Sequence, residues 1–218
     1  MKKLVIFDLD GTLLNTIKDL GIATNHALAE CGFAQHAPES YPNMVGNGIT
    51  KLIERALPVD ARTPDTIDHV REKFREYYGQ HLFDFTEPYP GIIDLLDELR
   101  AREVAIAVAS NKYQEAVDRI ISHFFGNLEW AAVEGHRPDY PTKPDPSIVF
   151  RILSEHPTPK AEVLYVGDSG VDMETARRAC VESVGVTWGF RPVSELRDSH
   201  ADHIIYQTSD ILPIVAGR

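Results

Sequence analysis

Short, unbroken apolar runs alternate with amphipathic stretches along this chain. Leu4-Val5-Ile6-Phe7, Val104-Ala105-Ile106-Ala107-Val108, Val163-Leu164-Tyr165-Val166 and Ser183-Val184-Gly185-Val186 are continuous runs of this kind, and His203-Ile204-Ile205-Tyr206 is a weaker one. Such runs suit strands buried on both faces, as in a parallel sheet. Between them, residues 91–102 place Ile92, Leu95, Leu96 and Leu99 on one helical stripe, and residues 173–180 form another short helix. Strand–helix alternation with short connections predicts an α/β fold, a parallel sheet with helices on both faces.

One segment breaks the alternation. Residues 16–82 hold no strand-like run, only helical periodicity. Leu20, Thr24, Ala27, Leu28 and Cys31 share one face; Ile49, Leu52, Ile53, Ala56 and Leu57 share a second; Ile67, Val70, Phe74, Tyr77 and Tyr78 mark a third. Pro38, Pro42, Pro58 and Pro64 separate these helices, and Glu87-Pro88-Tyr89-Pro90-Gly91 reads as the hinge that returns the chain. The expected division is a core of residues 1–14 and 87–218 with a helical insertion at 15–86.

Composition narrows the function classes. The 218 residues are 43% hydrophobic and 25% charged, enough for an ordinary core and too apolar for disorder. Lys and Arg number 22 against 33 Asp and Glu, a net charge of −11 that repels nucleic acid and anionic membrane. An acidic protein that binds an anion needs local positive charge, and a bound metal is a compact source of it. Cys31 and Cys180 match no metal or redox spacing and are expected to be buried thiols. The apolar run from Leu4 ends at Asp8, too short for a signal peptide or membrane span, so a cytoplasmic location is expected.

In an open parallel sheet, ligands bind beyond the carboxyl ends of the strands. The polar residues there are Asp8-Leu9-Asp10-Gly11-Thr12, Ser110-Asn111-Lys112 and Gly167-Asp168-Ser169-Gly170-Val171-Asp172, with Thr142-Lys143-Pro144-Asp145-Pro146 ahead of a helix. Asp8 and Asp10 are close carboxylates that repel unless a cation neutralises them. Asp168 completes an all-oxygen set of the kind Mg²⁺ prefers at about 2 Å, and no Cys or His cluster competes for zinc or copper. A metal there neutralises a phosphate and leaves a carboxylate free to attack it, while Lys143, Ser110 and loop amides surround the remaining oxygens. Asp172 sits where capping the following helix is an equal alternative.

These residues resemble the four ordered motifs of the haloacid-dehalogenase-like hydrolase superfamily. Asp8-Leu9-Asp10-Gly11-Thr12-Leu13 is similar to its DxDGT signature, and Ser110, Lys143 and the Gly167–Asp172 stretch match the second, third and fourth motifs. The resemblance implies a Rossmann-like core with an inserted α-helical cap. It implies Asp8 as nucleophile and metal ligand, and Asp10 as general acid and base with its backbone carbonyl on the metal. Asp168 would be a metal ligand, Asp172 a supporting acid, Thr12 a loop-orienting residue, and Ser110 and Lys143 the phosphate holders. The implied cofactor is Mg²⁺ and the partner a small phosphorylated metabolite. Asp10 argues for phosphoryl substrates, because family dehalogenases lack that second aspartate. Asn15-Thr16 departs from the Asp-Ser that many members carry there.

Within the superfamily the chain is most similar to phosphoglycolate-phosphatase-type enzymes. Val45-Gly46-Asn47-Gly48-Ile49 and Gly185-Val186-Thr187-Trp188-Gly189-Phe190-Arg191 carry that similarity. A Gly46-Asn47-Gly48 turn opening a helix can present bare amides to a substrate carboxylate, or simply cap the helix. Asn111 is a further candidate for substrate binding. Phe74, Tyr77 and Tyr78 read as insertion core, and Lys51 and Arg55 as a solvated face or an attraction for anions. The resulting expectation is hydrolysis of a small phosphomonoester, 2-phosphoglycolate being the candidate, through an aspartyl-phosphate. A sugar phosphomutase, a pyrophosphatase and a non-catalytic binding protein are the alternatives.

Overall fold

The computed structural model describes residues 1–217. The chain begins with β1 (Leu4–Phe7), buried at all four residues, and leaves through β2 (Leu14–Asn15). Three helices follow: α1 (Ile17–Glu30), α2 (Gly48–Ala56) and α3 (Pro64–Tyr78). β3 (Glu87–Pro88) returns the chain antiparallel to β2. Strand and helix then alternate through α4 (Ile92–Ala101), β4 (Ala105–Tyr113), α5 (Gln114–Phe125), β5 (Ala132–His136), α6 (Ser147–Glu155) and β6 (Val163–Gly167). The chain ends with α7 (Gly170–Ala179), β7 (Glu182–Val186), α8 (Val193–Asp198), β8 (His203–Ile205) and α9 (Ile211–Val215).

Six strands form one parallel sheet in the order β5-β4-β1-β6-β7-β8. The chain first builds outward from β1 to β4 and β5, then crosses to β6 on the other side. That reversal beside β1 is the switch point where a crevice opens at the carboxyl ends of the strands. Leu4 pairs with both Ala105 and Val163, and Phe7 with both Val108 and Val166, so the three central strands run in register, with β4 continuing past the end of β1 to Tyr113.

The alternation of side chains along β1 sends Val5 and Phe7 into one apolar cluster and Leu4 and Ile6 into another, across the sheet. Each such side chain, fully buried, contributes about 1.5–3 kcal/mol. The first cluster continues without a break into the helical segment, through Leu20 and Leu28 of α1, Leu52 of α2 and Phe74 of α3. Thr63 caps α3 through a bond from the Thr66 N–H at 3.2 Å, and Pro64 follows at the first helical position. The two connections between helices and sheet are tied together at Asp19. Its buried carboxylate accepts from the N–H groups of Phe85 and Thr86 and from the Thr86 hydroxyl.

Some sequence expectations meet different facts. The second apolar run continues as strand through Tyr113, so Ser110, Asn111 and Lys112 lie on β4 and not on a loop. β5 had no sequence signal because Glu134 interrupts it, yet Glu134 is buried and paired with Arg151 at 2.8 Å and Arg137 at 3.4 Å. The thiols are not both buried. Cys180 is exposed, ending α7 in the left-handed region at φ 59°, and Cys31 is half-buried at the end of α1. A helix terminus lies at the surface even when its residue type favours the core. Among the described residues no helix is long and apolar enough to cross a membrane.

Candidate active site

Three strand ends and one loop converge. After β1, Gly11 takes φ 88°, which glycine tolerates, and the chain doubles back so that the Leu13 and Leu14 N–H groups donate to the Leu9 carbonyl. Glycine is needed there for a second reason, since a Cβ on Gly11 would strike the Asp168 carboxylate. Asp8 ends up buried, facing Lys143 from the loop before α6: Lys143 Nζ lies 2.8 Å from Asp8 Oδ1. The same ammonium donates to Asp172 Oδ1 at 2.8 Å and to the Ala109 carbonyl at 2.9 Å, which uses all three of its N–H donors. Asp172 Oδ2 accepts from the Ser169 N–H and hydroxyl, so this residue both caps α7 and anchors the lysine. Asp168 Oδ2 accepts from the Phe190 N–H at 2.7 Å.

Asp8, Asp168 and Asp172 offer carboxylate oxygens that all lie within 4.8 Å of one another, and all three residues are buried. Burial, then the neighbouring Asp172 and Asp10, push the Asp8 carboxyl up to about 7 against the pull of Lys143. Asp168 is raised well above the usual carboxylate range by burial and by Asp172 and Asp8. Burial alone would lower the Lys143 ammonium, but Asp172 and Asp8 outweigh it and hold it well above its ordinary value. The cluster therefore holds more negative charge than its one lysine balances. All its donors are oxygens, the set that suits a hard divalent cation. The residues fit a bound Mg²⁺.

Asp10 behaves differently from Asp8. Its Oδ1 accepts from the Thr16 hydroxyl at 2.6 Å and pairs with Lys112 Nζ at 2.9 Å, so its carboxylate turns away from the Asp8–Asp168–Asp172 cluster. Lys112 had no role in the sequence reading. The one signal for it was a lysine at the end of a strand otherwise filled with apolar residues, which in water-excluded surroundings demands partners. Asp8 and Asp10 border a cavity of about 50 Å³ that Ser110, Asn111 and Lys112 also line. The helical segment supplies its other wall, including Leu52 of α2 and Phe74 and Tyr78 of α3.

The remaining sequence candidates fall on two sides of this cavity. Ser110 is buried, and its hydroxyl oxygen accepts from the Lys112 N–H. Asn111 braces three segments: its Oδ1 accepts from the Lys143 N–H at 2.8 Å, and its amide donates to the Lys143 and Gly46 carbonyls. Thr12 is buried, with its carbonyl accepting from the Trp188 ring N–H. Gly46 and Gly48 line the cavity, whereas Asn47 Oδ1 accepts from Arg55, which also donates to the Met44 carbonyl. Arg55 is thus committed to shaping the turn, and Lys51 pairs with Glu54 on the surface. Phe74 and Tyr78 are core residues and cavity wall at once.

Comparison with known proteins agrees with this geometry. A model of the haloacid dehalogenase-like hydrolase family matches residues 5–186. A phosphoglycolate phosphatase of Mannheimia succiniciproducens is 31% identical, and one of Haemophilus influenzae is 30% identical, each over 98% of both chains. The crystal structure of a candidate phosphoglycolate phosphatase from Lactobacillus delbrueckii subsp. bulgaricus superposes with a TM-score of 0.93 at 30% identity, covering 100% of both chains. The chain belongs to the haloacid dehalogenase-like hydrolase family and is one of its phosphoric monoester hydrolases.

Proposed function

We propose that the chain hydrolyses a small phosphomonoester, with 2-phosphoglycolate as the candidate substrate, through a phosphoryl ester on Asp8. The observation that carries this reading is the position of Asp8: at the end of the central strand, 2.8 Å from Lys143, on the wall of the cavity. Asp8 attacks phosphorus, the P–O bond to the leaving group breaks, and that oxygen takes a proton from Asp10. Asp10 then removes a proton from water, which attacks the phosphoryl group, and the bond to Asp8 breaks to release phosphate. Lys143 holds the Asp8 carboxylate and adds positive charge beside the phosphoryl oxygens, to which the Ser110 hydroxyl and the loop amides donate. Asn111, through its bonds to Lys143 and Gly46, keeps the phosphate loops in register with the wall above them.

Asp8, Asp168 and the Asp10 backbone carbonyl would hold Mg²⁺, with Asp172 steadying Lys143 behind them. When bound, the ion supplies two positive charges that keep these carboxylates ionised and draw charge from the phosphate oxygens. Residues 15–86 act as a cap over the core of residues 1–14 and 87–218 and exclude water from the reaction. The cavity supports a small substrate. At about 50 Å³, walled by the strand ends on one side and the helical segment on the other, it favours a compact leaving group over a bulky one.

A panel of phosphoglycolate, sugar phosphates, nucleotides and pyrophosphate, ranked by kcat/KM for phosphate release with Mg²⁺, tests the reading. Phosphoglycolate is expected to rank first, with activity lost in excess chelator. Absence of phosphate release from every ester would leave a binding protein on this fold.

A further inference from the structure

Lys112 is a second buried lysine in the site, and its environment is unlike that of Lys143. Its side chain is 4% exposed, beside a cavity whose wall includes Leu20, Leu52 and Phe74. Nζ pairs with Asp10 Oδ1 and donates to the Tyr78 hydroxyl of α3, both at 2.9 Å. An ammonium carries three donors. Two are committed here, where Lys143 commits all three to groups of the protein. Among the described residues Lys112 is the only cation in the lining of this cavity. An unspent donor on a desolvated ammonium is costly unless something accepts it, and a water or ligand group in the cavity is placed to do so.

We propose that Lys112 is a specificity-determining residue: its free N–H receives a carboxylate carried by the substrate's leaving group, and Tyr78 holds the ammonium in place for it. This rests on the phosphatase reading and deepens it. The chemistry favours a short anionic leaving group for two reasons. The cavity is compact, with Lys112 and Asp10 both in its lining, and a carboxylate that reaches Lys112 is drawn beside Asp10, 2.9 Å from its ammonium, the group that must hand a proton to the leaving oxygen. Tyr78 lies on α3 and Lys112 on β4, so the receptor is complete only when the helical segment sits against the sheet. A substrate bearing the carboxylate therefore favours the closed arrangement, while an ester without it makes no contact of its own with Lys112 and depends on it only through Asp10.

The test compares two esters of similar size, 2-phosphoglycolate and ethyl phosphate, at saturating Mg²⁺. The parent enzyme is expected to prefer phosphoglycolate in kcat/KM. Lys112→Met keeps the apolar stem and removes the charge. It is expected to cut that preference about 30-fold or more, mainly through KM, since a hydrogen bond to a charged group is at stake. Tyr78→Phe keeps the ammonium and loses its holder, with an expected reduction of about threefold in the same ratio. An unchanged preference in Lys112→Met, including equal losses on both esters, overturns the proposal, as does a parent enzyme that does not discriminate. Should Lys112→Met fail to fold by circular dichroism, an unchanged ratio in Tyr78→Phe overturns it instead. A parent that hydrolyses neither ester overturns the phosphoglycolate reading on which the proposal rests, which separates the two failures.

Discussion

Lys143 Nζ stands 2.8 Å from Asp8 Oδ1 and is buried there, so the proposed nucleophile and the group that holds it share one desolvated ion pair. Such a pair is weak evidence of stability while intact, but removing one partner leaves an uncompensated charge. Lys143→Met is therefore expected to lower unfolding free energy by about 3–5 kcal/mol at pH 7, measured by urea unfolding with the metal chelated. A loss within error would show that solvent reaches the cluster.

The raised carboxyls give metal-free stability a definite pH dependence. Asp8 ordinarily titrates at 3.8 and is pushed to about 7 in the folded protein, with Asp168 raised in the same direction. Between those values the folded state binds more protons than the unfolded one, so stability falls as pH rises through the window. Melting temperature in chelator is expected to decline from pH 5 to pH 7 at these sites. Asp168→Asn should flatten the decline, and Mg²⁺ should raise the melting temperature more at pH 7.5 than at pH 5. An equal gain from Mg²⁺ at both would contradict the placement of the metal on these carboxylates.

Gly189 packs so closely that a Cβ there would meet both the Asp168 side chain and the Gly11 carbonyl. Gly189→Ala is expected to displace Asp168 and raise the Mg²⁺ concentration needed for half-maximal activity about tenfold. Metal titration of phosphate release checks this, and an unchanged requirement would place the ion elsewhere.

Asp19 fastens the return connection by taking both the Phe85 and Thr86 N–H groups. Asp19→Ala strands those donors at a cost of about 1–3 kcal/mol. It should also raise hydrogen exchange at residues 85–87 ahead of the rest of the chain, since the two linkers are then free to separate. Uniform protection across this segment would show that β2–β3 pairing alone sets the hinge.

What was legible in the sequence follows from how local each signal is. β1, β6 and β7 are short apolar runs whose burial on both faces needs no knowledge of partners, and Asp8 and Asp168 follow from where such strands end. β5 was hidden because Glu134 is buried by virtue of Arg151, which arrives from a helix further along the chain. β2 and β3 are two residues each and exist only because the linkers meet. Lys112 was passed over for the same reason: its partner Tyr78 lies 34 residues away on another element. Gly46-Asn47-Gly48 was correctly legible as a turn opening α2, but the commitment of Asn47 to Arg55 depends on packing that composition does not encode.

The central claim is that the reaction passes through Asp8, and trapping the intermediate tests it most directly. Asp10→Asn keeps the shape of the site but removes the base that activates water, so the second step should stall. After mixing this variant with 2-phosphoglycolate and Mg²⁺, intact-mass analysis followed by peptide mapping is expected to find one phosphoryl group per chain, on Asp8. Phosphoryl on any other residue, or sustained phosphate release by Asp8→Asn within tenfold of the parent, would contradict the account.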